Sequence, residues 1–117
     1  MDKTLTIDGK SVTFRKTGGT IVRYQTEFGR ELLHDLSRIY DLIGATDGTE
    51  SEQVEAVGKC EILWMYDIAY TMAKQADDSI GSMLDWLDSF NSFPIFDVFI
   101  RLMPMLQEEM KIAPKNV

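Results

Sequence analysis

The chain has 117 residues, is 44% hydrophobic and 26% charged, and carries 19 acidic against 12 basic side chains, a formal net charge of −7. This length and apolar content suit one globular domain that folds without disulfides, and they exclude a disordered tail. The acidic balance repels phosphate backbones and argues against a nucleic-acid partner, and Cys60, the single cysteine, excludes an internal disulfide.

The first element is a hairpin over residues 1–17. Leu5, Ile7, Val12 and Phe14 alternate with Thr4, Thr6, Ser11 and Thr13 around Asp8-Gly9-Lys10. One face is therefore apolar, and a central Asp-Gly or Gly-Lys pair accepts the positive φ angles a hairpin needs. Gly18-Gly19 ends the strand, and Thr20 is placed to cap a helix over 20–43. Its stripe runs through Ile21, Tyr24, Phe28, Leu32, Leu36, Ile39 and Ile43 at steps of three and four. Arg30, His34, Asp35 and Arg38 fall on the opposite, solvated face, where pairs such as Asp35 with Arg38 support the helix. Gly29 inside it marks close contact or a bend.

A polar loop, GATDGTESE, leads to a second helix over 52–76. Its run ILWMYDIAYTMA (Ile62–Ala73) is apolar on nearly every side, interrupted only by Asp67 and Thr71. A helix apolar all round must be covered on several sides. It is too short to cross a bilayer, which takes about 20 apolar residues, so no membrane partner is expected. Cys60, just before this run, is expected to be a buried, inert thiol. A helix over 80–90 follows, with Ser82 and Asp85 spaced as a capping box. It turns Met83, Leu84, Leu87 and Phe90 inward and leaves Trp86 at the edge of that face. The last helix spans 94–111, with Pro94 at its first position, and is expected to kink or restart at Pro104. Residues 112–117 read as a frayed tail. The fold class is mainly α, an N-terminal β-hairpin followed by a compact bundle of about four helices in one domain over 1–117.

No catalytic constellation can be assembled. His34 is the one histidine and lies among salt-bridging neighbours, and no spacing brings metal ligands together. Neither a cofactor nor an enzymatic activity is expected. What remains is apolar surface: Phe93, Phe96, Phe99, Ile100, Met103, Met105 and Met110 crowd the last helix on more than one side. Most of them are expected to complete the core, and the others to form an adaptable Met- and Phe-rich patch for another chain.

Three stretches, LTIDGKSVTFRKTGG, IVRYQTEFGRELLHDL and WLDSF, resemble the tail assembly chaperones of long-tailed bacteriophages and of related prophages in Gram-positive hosts. The resemblance spans most of the chain, and its motifs are structural. It implies a non-enzymatic protein of the bacterial host cytoplasm, absent from the mature virion, that keeps the tape measure protein soluble and helps recruit tail tube subunits. It also implies self-association, and often a longer form made by ribosomal frameshifting. Pro114-Lys115-Asn116 is compatible with the adenine-rich codons on which ribosomes slip. The alternative is a small acidic helical adaptor or regulatory protein acting through protein–protein contacts. Its acidic charge and want of a recognition helix disfavour direct DNA contact.

Overall fold

A computed structural model describes residues 1–44 and 58–108. Strands β1 (Asp2–Ile7) and β2 (Lys10–Arg15) pair antiparallel, with Leu5 opposite Val12 and Ile7 opposite Lys10. The two residues between them, Asp8 and Gly9, have φ of 53° and 74°. That left-handed pair matches the twist of a tight hairpin. Leu5, Ile7 and Phe14 are buried, while Thr4 and Thr13 share a 2.9 Å hydroxyl contact on the outer face. The predicted alternation is realised. A Cβ at Gly9 would meet nothing within 4 Å, so its φ alone decides the effect of a substitution. Gly9→Ala should therefore lower unfolding free energy by about 1 kcal/mol with an unchanged urea m-value.

The helix expected over 20–43 is two helices. α1 (Thr20–Phe28) ends at Gly29, whose φ is 70° and whose N–H donates to the Gln25 carbonyl at 2.8 Å. α2 (Leu32–Gly44) begins three residues later. Tyr24, Leu32, Leu36 and Ile39 still face the core, because the break keeps both apolar stripes inward. Thr20 does not cap α1. Gly19 holds the cap position, and the buried Thr20 hydroxyl accepts from the Thr17 N–H at 2.9 Å and donates to Gln75 at 2.7 Å.

α3 (Lys59–Ala76) is the central element, touched by β2, α1, α2 and the last helix. Met65 and every residue from Asp67 to Ala73 are buried. Its first turns are more open, with Leu63 at 59% exposure and Ile62, Trp64 and Tyr66 half-buried. The polar loop expected after Gly44 and the helix start expected near residue 52 lie outside the described residues.

α4 (Met83–Asp88) is one short helix, and the Ser82 hydroxyl accepts from the Asp85 N–H at 3.2 Å as its spacing implied. Its inward face differs from expectation. Trp86 is buried and Leu84 is 68% exposed. The indole sits 5.2 Å from the Phe93 ring, 5.6 Å from Phe90 and 5.9 Å from Tyr70. A ring system removes more apolar area from water than a leucine, and edge-to-face contacts add to that gain. α5 (Ile95–Gln107) starts after Pro94, which occupies the cap and not the first turn. Pro104 lies inside α5 without interrupting it. Both Pro104 and Ile100, whose carbonyl loses its donor, are exposed, so water can take that carbonyl. The described residues are thus mainly helical, with one hydrophobic core under an N-terminal hairpin.

Candidate partner-binding surface

α5 divides the predicted surface residues between two faces. Phe99 and Met105 belong to the core, fully buried beside Val98, Leu102 and Leu106. Both are therefore corrected from surface to structural residues. Phe93, Phe96 and Met103 are half-buried and Ile100 is 42% exposed. Steps of four and three put Phe96, Ile100 and Met103 on one side of α5, next to its buried face, while Phe93 precedes the Pro94 cap. Met110 lies outside the described residues.

Phe93 anchors one end of this stripe. Its ring lies 5.3 Å from Phe90 and 6.0 Å from Tyr66, so the open stripe is backed by the aromatic cluster that fixes α4 against α3. The hairpin tip is tied to the same region: the Asp8 carboxylate accepts from the Asn91 N–H at 2.9 Å, and Lys10 donates to the Ser89 carbonyl. Farther along, Lys3 donates to the Arg101 carbonyl at 2.8 Å.

A second feature is a charged cluster at the α1–α2 break. The Arg30 guanidinium donates to Asp35 at 2.9 Å, to the Tyr24 hydroxyl at 2.9 Å and to Asp67. The Tyr24 hydroxyl donates in turn to Asp35 at 2.6 Å. Asp35, Asp67 and Tyr24 are all buried, so Asp35 is not the solvated residue its helical position suggested, and it pairs with Arg30 instead of Arg38. Arg38 meets Glu61 at 3.5 Å. Burial raises the Asp67 carboxyl above its ordinary value against the pull of Arg30, and burial together with the Asp35 hydrogen bond raises the Tyr24 phenol. The guanidinium also lies over the Tyr24, Phe28 and Trp64 rings at 5.6, 5.7 and 5.6 Å. Beside it, a recess of about 290 Å³ is lined by Arg30, Glu31, His34, Asp35 and Trp64.

This cluster went unpredicted because Arg30, Asp35 and Asp67 have no common spacing along the chain. The one available signal was Asp67 inside an otherwise apolar run, since a charge buried in a helix needs a partner. The groups pair with one another and tie α1, α2 and α3 together. His34, 3.1 Å from Asp35, is largely exposed. Cys60 is exposed as well, contrary to the expected burial, because it sits on the first, open turn of α3. Among the described residues no group of three His, Cys, Asp or Glu side chains could hold a metal ion. No described helix is long and apolar enough to cross a membrane. Comparison with known proteins finds no family model, no curated protein and no solved structure that matches this chain.

Proposed function

We propose that this protein is a phage tail assembly chaperone that holds apolar helices of the tape measure protein and helps recruit tail tube subunits. The observation that carries this reading is the apolar side of α5, with Ile100 exposed and Phe96 and Met103 half-buried, beside the Phe93 aromatic cluster. An amphipathic helix docks on such a surface through residues spaced three and four apart. Methionine and phenylalanine at the rim tolerate clients of varied sequence. The −7 net charge keeps a protein with exposed apolar surface soluble until its client arrives. The sequence resemblance supplies the client's identity.

Co-expression with a tape measure protein and a tail tube protein tests this. The tape measure protein should stay soluble and co-purify with the native chain, and Phe96→Ser with Ile100→Ser together should reduce the recovered complex at least tenfold. Failure to retain either partner with the native chain would remove the reading.

A further inference from the structure

The apolar stripe of α1 continues into α2 in register: Tyr24, Phe28, Leu32, Leu36 and Ile39 keep steps of three and four across the break. The residues would therefore suit one straight helix as well as two. Only Gly29, Arg30 and Glu31 separate the two forms. The hydrogen-bond ladder of α1 closes at the Gly29 N–H, and that of α2 opens with the Asp35 N–H on the Glu31 carbonyl at 3.1 Å. In a straight helix the N–H groups from Arg30 to His34 would each find a carbonyl one turn back. A Cβ at Gly29 would meet nothing within 4 Å, so a substitution there acts through its φ alone.

Two things hold it shut. Gly29 supplies a φ of 70°. Arg30, turned inward by that residue, joins Tyr24 of α1, Asp35 of α2 and Asp67 of α3. On the N-terminal side of the hinge, the hairpin and α1 each pack chiefly on α3. Its contacts include Thr20 on Gln75 at 2.7 Å and Thr17 on Gln75 at 2.6 Å.

We propose that residues 29–31 are a hinge about which the hairpin and α1 swing out and dock on α3 of a second copy of this chain. α1 and α2 then run as one helix, and two copies exchange their N-terminal units. The surface offered by the second copy is the one already filled within each chain, so complementarity is complete by construction. An exchange of identical elements costs only the difference between two hinge conformations.

The test uses the full chain with Cys60→Ser, Thr17→Cys and Gln75→Cys, refolded at high protein concentration and treated with a short bis-maleimide. Gly29→Ala in this background penalises the left-handed hinge and favours a continuous helix, at two hinges per dimer. Light scattering should show at least a tenfold rise in dimer over Gly29→Asn, which tolerates positive φ. The crosslink should then join two chains, giving a dimer band in denaturing gels, while Gly29→Asn gives a monomer band crosslinked within itself. A monomeric Gly29→Ala protein, or a dimer crosslinked only within each chain, would overturn the proposal. This outcome is independent of client binding.

Discussion

Arg30→Met is expected to lower unfolding free energy by about 3–5 kcal/mol, the range seen when one partner of a buried ion cluster is removed. Asp35 and Asp67 come from different helices, both buried, and share the one guanidinium. Methionine keeps much of the volume over the Tyr24, Phe28 and Trp64 rings, so the loss isolates the charge. The deficit should depend on pH in a defined direction. The Asp67 carboxyl is raised in the folded chain from an ordinary 3.8, chiefly by burial. The folded protein therefore holds this proton more tightly than the unfolded chain does. Its contribution is fully present below the ordinary value and is lost as pH rises through the raised one. Arg30 opposes that rise through its hydrogen bond and charge. Without it the folded value climbs further and the loss extends to higher pH. The difference between variant and parent in urea titrations should thus be largest near neutrality and shrink on acidification. A pH-independent difference would mean that Arg30 acts through its stem and not its charge. Adding Asp67→Asn to Arg30→Met should recover part of the deficit, which a double-mutant cycle measures.

Phe99→Ala is expected to cost about 3–5 kcal/mol, as for other fully buried aromatic residues. Its ring has no exposed area and lies among Val98, Leu102 and Leu106 in the core. Its neighbour should behave in the opposite way. Ile100→Ser removes a 42% exposed side chain and should change the thermal midpoint by only a few degrees, while weakening client retention. Adjacent residues on α5 thereby separate the two roles that the segment combines. Equal destabilisation by both substitutions would place the whole of α5 in the core and leave no open stripe.

The hairpin, the central helix and the last helix were legible because each rests on a short-range rule. Alternation sets the sheet face, an Asp-Gly pair sets the turn, and an all-round apolar run requires cover. The reading failed where distant residues decide. Periodicity alone made 20–43 one helix and Asp35 a surface residue. Gly29 carried the correct hint, yet a glycine in a helical pattern does not distinguish a bend from a break. Trp86 and Leu84 exchanged faces because the Tyr70 and Phe93 rings, from other segments, offered the indole more contact than the local helical phase could reveal.

Ile62–Ala73 shows where the boundary falls. The apolar content of that run sufficed to establish a covered, central helix, since no surface helix leaves so much of its circumference apolar. Its two polar residues acquired meaning only in three dimensions. Thr71 returns its hydroxyl to the Asp67 carbonyl at 2.8 Å, and Asp67 meets an arginine 37 positions away in the chain. A buried carboxylate is tolerable only where a cation reaches it, and which cation can do so depends on chain geometry, here on the turn that Gly29 makes. The same holds for α5, whose composition announced an excess of apolar surface. Only the placement of its helix against α3 decided that Phe99 and Met105 are core, that Phe96 and Met103 are half-buried and that Ile100 is exposed.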